Sequence, residues 1–137
     1  MTRDVRIDYN LPWQKIHWRS IEAAYSQSPF FLYYQDYFIP SFETHYDFLI
    51  DLNNQLLETI FLAIRLDKPF GMTEVYEKSP PDVIDNRVAL SAKYQRFEHP
   101  EYVQVFSERH GFIPNLSIID LVFNLGPQTI PYLDSLN

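Results

Sequence analysis

The 137-residue sequence contains no cysteine and only three glycines. The absence of cysteine excludes disulfides, thiolate nucleophiles and cysteine-ligated zinc or iron–sulfur sites, and it is typical of proteins from a reducing compartment. With glycine only at positions 71, 111 and 126, neither a GxGxxG fingerprint nor a phosphate-binding P-loop can be written. The sequence therefore lacks the common nucleotide-binding motifs and all cysteine chemistry.

Basic residues and long apolar runs are also scarce. The chain has 11 Lys and Arg against 18 Asp and Glu, a net charge of −7. Because nucleic-acid binding depends on neutralising phosphates with Lys and Arg, we expect no nucleic-acid partner. No apolar run approaches the roughly 20 residues of a transmembrane helix, and the charged N terminus lacks the apolar region of a signal peptide. We therefore expect a cytoplasmic protein without a membrane span.

The sequence is rich in apolar residues (46%), and aromatic residues alone make up 17%. A chain of this length removes roughly 65–70% of its extended surface from water, which is enough for one ordinary core. We therefore predict a single domain over residues 1–137. Because a buried tyrosine needs a partner for its hydroxyl, we expect this core to contain side-chain hydrogen bonds.

The spacing of apolar residues predicts a helix-dominated α+β domain. A wide apolar stripe from Phe42 to Arg65, with Ser41 as its cap, predicts one long core helix. Shorter helices are expected near residues 12–27 and 117–124, and we expect the long helix to pack against both. A short aromatic helix is expected from Phe30 to Ile39, closing before Pro40.

Two or three short strands are expected beside these helices. Apolar and polar residues alternate over Val5–Tyr9 and Tyr102–Phe106, and Phe70–Glu77 carries β-branched residues. The segment from Lys78 to Arg96, which contains two adjacent prolines, reads as an exposed connection.

None of the four histidines has the spacing of a metal-binding motif, so we predict no metal site. They are found at positions 17, 45, 99 and 110. No motif identifies a cofactor.

Ser117 and Asp120 match the S/T-x-x-D form of a capping box at a helix start. In that interpretation Ser117 accepts a hydrogen bond from the third amide of the helix, and Asp120 reaches back to the N-cap residue. The same helix start also offers free amides to an anion, with Asn115 and His110 as flanking polar groups. The sequence leaves both interpretations open.

Three segments resemble the WbqC-like family of bacterial proteins and occur in that family's order. They are WQKIHWRSIEAAY at 13–25, SPFF at 28–31 and HGFIPNLSIIDLVFNLGP at 110–127. The resemblance covers nearly the whole chain. Family members begin with a further segment of several dozen residues, so we expect this chain to correspond to the C-terminal two thirds of a member.

The resemblance implies an association with O-antigen and other surface-polysaccharide gene clusters, where a transferase role has been supposed. Our hypothesis is therefore an enzyme of surface-glycan precursor synthesis that binds a sugar nucleotide or another anionic small molecule. The alternative is a non-catalytic interaction or homo-oligomerisation domain, in which the aromatic residues of Phe30–Phe38 dock a partner.

Polar residues inside the matching segments are the candidates for a site, since no catalytic residue is carried over from the family. The predicted catalytic residues are His110, His17 and Asp120, and the predicted ligand-binding residues are Arg19, Asn115, Ser117 and Asn124. Arg19 would bind a phosphate or carboxylate, and His110 would act as acid or base. This pocket requires His17 and His110 to lie close together.

Overall fold

The computed structural model describes residues 2–78, 83–85 and 99–136. Six α-helices occur in this part of the chain, together with two single-turn 3-10 helices at Thr2–Asp4 and Gly126–Gln128. The helices are α1 (Trp13–Tyr25), α2 (Phe31–Glu43), α3 (Leu49–Ala63), α4 (Ser107–His110), α5 (Ile118–Leu125) and α6 (Thr129–Asp134).

The core forms where α2 meets α5. Helix α2 packs against α1, α3 and α5, and α3 also contacts α5. Phe123 is fully buried, and its ring centroid lies 5.1 Å from that of Phe31 and 5.5 Å from that of Phe38. Val122 and Ala63 complete the buried cluster. The aromatic residues of the sequence therefore supply most of this core.

The expected α+β class with two or three short strands is wrong, because the described residues contain no strand. In the first predicted segment a single bridge pairs Arg6 with Phe48, and the other two are irregular. Alternating residues form a strand only where another extended segment pairs with them. In the Phe70–Glu77 segment Met72 and Val75 are 56% and 70% exposed, so the pattern buries no face.

The predicted 42–65 helix is wrong in its first turns. Phe42 belongs to α2, which continues past Pro40, and the next helix begins at Leu49. Both helices bury their apolar faces against the same core, so the apolar stripe continues across the break between them. Ser41 caps nothing; it is buried in α2, 3.4 Å from the Thr59 hydroxyl of α3.

The helices expected near residues 12–27 and 117–124 are confirmed as α1 and α5. In α5 every residue from Asp120 to Asn124 is buried. This helix therefore buries two polar side chains, those of Asp120 and Asn124. Most of the expected connection from Lys78 to Arg96 lies outside the described residues.

Candidate functional site

Among the described residues, Asp120 is the one charged residue that is buried. It lies on α5 between apolar neighbours, and the residue is only 3% exposed. A buried carboxylate is costly unless several donors satisfy it. Its surroundings therefore reveal which residues act together.

Tyr102 and Gln104 reach Asp120 from an irregular segment before α4. The Tyr102 hydroxyl donates to Asp120 Oδ2 at 2.5 Å, and Gln104 Nε2 lies 3.2 Å from the same hydroxyl and 3.4 Å from Oδ2. Gln104 also bonds both backbone groups of Ile113, accepting from its N–H at 2.9 Å and donating to its carbonyl at 2.8 Å. The network therefore joins the segment before α4 to the segment that leads into α5.

Asn124 completes the network one helical turn after Asp120. Its Nδ2 donates to the backbone carbonyl of Asp120 at 2.9 Å and to Oδ1 at 3.2 Å. Each carboxylate oxygen therefore has at least one donor.

Two tyrosines facing this carboxylate hold their protons more tightly than usual. Burial raises the pKa of Tyr25 to about 12, and the charge of Asp120 and hydrogen bonding to it add to the effect. Burial also raises the pKa of Tyr102, and its hydrogen bond to Asp120 raises it further. Both phenols are therefore neutral donors at physiological pH.

A cavity of about 190 Å³ opens beside this network, with the Tyr102 ring in its wall. The Tyr102 and Tyr132 rings meet edge to face at 5.2 Å. The Tyr102 hydroxyl is engaged by Asp120 and Gln104, and the Tyr132 hydroxyl donates to the carbonyl of Pro100 at 2.9 Å. The remaining lining residues are His99, Asn115, Leu116, Ile118, Leu121, Leu133 and Leu136.

The cavity therefore combines aromatic and aliphatic walls with an imidazole and an amide. An apolar pocket with a few polar groups is the usual form of a small-molecule site. An imidazole is a common general acid or base in enzymes, and His99 is the lining residue that carries one.

The structure brings together some of the seven predicted site residues. Asp120 and Asn124 bond directly to each other, and Asn115 lines the adjacent cavity. His17 and Arg19 are exposed on α1, and His110 is exposed at the end of α4. Their part in a common pocket stays a prediction.

The predicted capping box is wrong. Ser117 stands at the start of α5, but its side chain makes no capping hydrogen bond. The Asp120 carboxylate turns to Tyr102, Gln104 and Asn124 instead of the helix start. Buried donors outcompete an exposed backbone amide, which water can satisfy.

Sequence reasoning did not identify Tyr102, Gln104 or Tyr25 as neighbours of Asp120. One signal was present, because Asp120 interrupts an apolar run from Ile118 to Phe123 that had to be buried. A carboxylate in such a run requires donors from elsewhere, and tyrosine is the abundant donor in this sequence.

The part of the chain that the structure describes contains neither a cluster of metal-ligand side chains nor a membrane-spanning helix. No group of three or more His, Asp or Glu residues is arranged to hold a metal ion. No helix there has the length and apolar character needed to cross a membrane.

The chain is similar in sequence to a known protein and to a family model. It is 31% identical over 158 residues to the uncharacterized protein Rv1507c of Mycobacterium tuberculosis, a match that covers 96% of this chain and 68% of the relative. No solved structure matches the chain. The pattern of the WbqC-like protein family matches residues 1–93 and 84–132. The chain therefore belongs to the WbqC-like protein family.

Proposed function

We propose that this protein is a transferase in the synthesis of bacterial surface polysaccharide, with the cavity beside Tyr102 as its sugar-binding site. The observation that carries the proposal is the buried Asp120 carboxylate, whose hydrogen bonds fix the Tyr102 ring in the cavity wall. Family membership supports the substrate class, because the WbqC-like resemblance implies surface-polysaccharide gene clusters.

The size of the cavity favours one sugar ring over a whole nucleotide sugar. Its volume of about 190 Å³ lies below the range of roughly 300–1,000 Å³ typical of sites that enclose drug-sized ligands. The rings of Tyr102 and Tyr132 offer apolar faces to the C–H face of a sugar. Asn115 and His99 add an amide and an imidazole to the same lining.

His99 is the residue that we propose as the proton acceptor. In a sugar transfer, the acceptor hydroxyl loses a proton as its oxygen bonds to the anomeric carbon and the nucleoside diphosphate leaves. An imidazole on the cavity wall can take that proton. His110 and His17 are the competing candidates from the sequence.

Saturation-transfer NMR tests the sugar site directly. The probes are free monosaccharides, UDP-glucose, UDP-N-acetylglucosamine and dTDP-rhamnose, each at millimolar concentration. We expect transfer from the protein to the sugar ring and its loss in Leu116→Trp, because Leu116 lines the cavity and is 41% exposed, so the larger ring fills it without overpacking the core.

Leu62→Trp is the matched control, since Leu62 is 66% exposed on α3 and does not line this cavity. Absence of saturation transfer for every probe would contradict the sugar site. ³¹P NMR of the same nucleotide sugars with glycan-precursor extract then compares release of the diphosphate by His99→Gln, His110→Gln and His17→Gln. Loss in His110→Gln alone would restore the sequence-based assignment.

As a second candidate, we propose that the protein is a non-catalytic interaction domain, because apolar residues are exposed along α2. Leu32 and Tyr33 are 73% and 75% exposed although Phe31 beside them is buried. Exposed apolar clusters of this kind occur at interaction sites. Size-exclusion chromatography with light scattering tests it: an oligomer that Leu32→Glu dissociates supports this function, and a monomer at high protein concentration refutes self-association.

A further inference from the structure

Arg65 lies just after the C-terminal cap of α3, in a backbone conformation that arginine rarely adopts. The N–H of Leu66 donates to the carbonyl of Phe61 at 2.8 Å and that of Arg65 to Leu62 at 3.1 Å, which is the Schellman pattern of a helix end. Arg65 takes the position usually held by glycine, with φ 57°. A positive φ is strained for a residue that carries a Cβ atom. The backbone conformation at this helix end favours glycine. The presence of arginine therefore indicates a role for its side chain.

The guanidinium of Arg65 has no partner among the described residues. No ion pair or hydrogen bond connects it to another side chain in that part of the protein, and the residue is exposed. A cation near a helix C terminus interacts favourably with the helix dipole. An arginine within the last turn would gain the same interaction without a positive φ, so the dipole does not account for this position.

Two cavities of about 360 and 340 Å³ meet at Arg65. Both are lined by Tyr34, Ala63, Arg65 and Pro127. The first extends along Ile64, Gly126, Thr129 and Ile130, and the second along Phe30, Tyr33 and Tyr37. We call the two together the Arg65 groove. Each half has the volume of a small-molecule site.

The wall of the Arg65 groove is held in place by a contact that only glycine permits. Gly126 has φ +52°, and a Cβ added there would lie 2.6 Å from the ring of Phe30. The N–H of Phe30 donates to the carbonyl of Phe123 in the core at 3.0 Å. The groove is therefore formed before any ligand arrives, which lowers the entropic cost of binding.

The chemistry of the groove combines a cation with flat aromatic faces. An unpaired guanidinium binds a phosphate through two parallel hydrogen bonds. Tyrosine rings stack against planar bases, a contact that needs no glycine-rich loop. A nucleotide joins these two groups in one molecule.

We propose that the Arg65 groove binds a nucleotide, with its phosphates on Arg65 and its base against Tyr34 and Tyr37. This site goes beyond the proposed sugar site and does not depend on it, because the groove and the Tyr102 cavity share no lining residue.

Titration of the ¹⁵N-labelled chain with ADP, adenosine and inorganic pyrophosphate tests the proposal. We expect ADP to shift the amide signals of Arg65, Leu66 and Gly126 and to bind more tightly than either half alone. Shifts confined to other residues, or none at millimolar ADP, would overturn the site. Equal binding of pyrophosphate and ADP would overturn the role of the tyrosines.

Substitutions of Arg65 distinguish the contribution of its charge to binding from its contribution to folding. Arg65→Asn removes the charge while keeping a residue that tolerates positive φ, and we expect it to weaken ADP binding roughly tenfold or more. Arg65→Gly relieves the backbone strain, so it should fold at least as well and still lose the same affinity. Unchanged affinity in both variants would refute the proposal.

Arg109→Gln is the matched control, because Arg109 is an exposed arginine on α4 that lines neither half of the groove. Tyr34→Leu should weaken adenosine and ADP but leave pyrophosphate unchanged. ADP binding that survives in Leu116→Trp would show that the groove acts independently of the sugar site, whichever way the sugar experiment turns out.

Discussion

The carboxylate of Asp120 is buried, and its hydrogen-bond partners among the described residues include no cation. Tyr102, Gln104 and Asn124 stabilise it with neutral donors. Removing this acceptor leaves the Tyr102 hydroxyl unsatisfied and takes one of their acceptors from Gln104 and Asn124. An unsatisfied buried group costs about 1–3 kcal/mol. The residue is therefore as important for stability as for the wall of the cavity.

We expect Asp120→Ala to lower the free energy of unfolding by about 3 kcal/mol, because buried donors lose their acceptor. Asp120→Asn keeps one acceptor oxygen and should lose less. Urea denaturation measures both, with Glu108→Ala on exposed α4 as a control that should change stability by less than about 0.5 kcal/mol. An alanine variant as stable as that control would show that the network is not formed.

The phenol of Tyr25 gives the protein a stability dependence at alkaline pH. Its folded-state pKa of about 12 exceeds the ordinary value of 10.0, so the folded protein holds this proton more tightly than the unfolded chain. The contribution to stability is complete below pH 10 and is lost as the pH rises through 12.

We expect the free energy of unfolding to fall between pH 10 and 12, and less steeply in Tyr25→Phe. Phenylalanine keeps the ring contact with Phe123, whose centroid lies 5.3 Å away, but carries no ionisable proton. Urea denaturation across this pH range measures the slope. Identical slopes in the two proteins would contradict the assignment.

At the scale of the helix, α5 begins without the side-chain cap that its sequence indicates. Ser117 makes no capping bond, so its hydroxyl contributes little to the helix. We expect Ser117→Ala to change the free energy of unfolding by less than about 0.5 kcal/mol, against about 1 kcal/mol for a serine that caps. Thermal unfolding followed by circular dichroism measures it, and a loss above 1 kcal/mol would indicate that the cap forms.

For α2 and α3, the periodicity of apolar residues predicts that helices form but not where one ends and the next begins. Apolar spacing locates both helices, because each buries one face in the core. The break between them depends on extended backbone at Thr44 and Phe48, with ψ 140° and 142°. No glycine marks that break, and Pro40 lies inside α2, so local sequence signals point to a boundary at the wrong residue.

At the scale of the molecule, the contact of Phe30 with Gly126 joins the start of α2 to the end of α5. The ring occupies the space of a missing Cβ. Any larger residue at this position must displace an aromatic side chain next to the core.

We expect Gly126→Ala to destabilise the protein by about 3 kcal/mol, since the added Cβ clashes with Phe30 and the positive φ adds strain. Gly71→Ala is the matched control, because nothing lies within 4 Å of a Cβ there and its φ is ordinary. Differential scanning calorimetry compares the two. Equal melting temperatures would show that the Phe30 contact is not rigid.

The candidate site is also a feature of the whole molecule. Its cavity is lined by residues from three stretches of chain, 99–102, 115–121 and 132–136. Of the predicted residues, Asp120 and Asn124 are one helical turn apart, so helix geometry could place them together. Tyr102 reaches Asp120 from 18 residues away, through an irregular segment whose path no periodicity specifies.

Composition, motifs and local spacing are enough to establish the family, the lack of cysteine chemistry, the positions of α1 and α5 and the aromatic core. Long-range packing is needed to explain why the alternating segments form no sheet among the described residues, why Asp120 faces tyrosines and not its helix start, and why Arg65 stands between two cavities. These outcomes depend on which distant segments compete for the same donors and the same buried surface. Such competition is settled only when the whole chain packs.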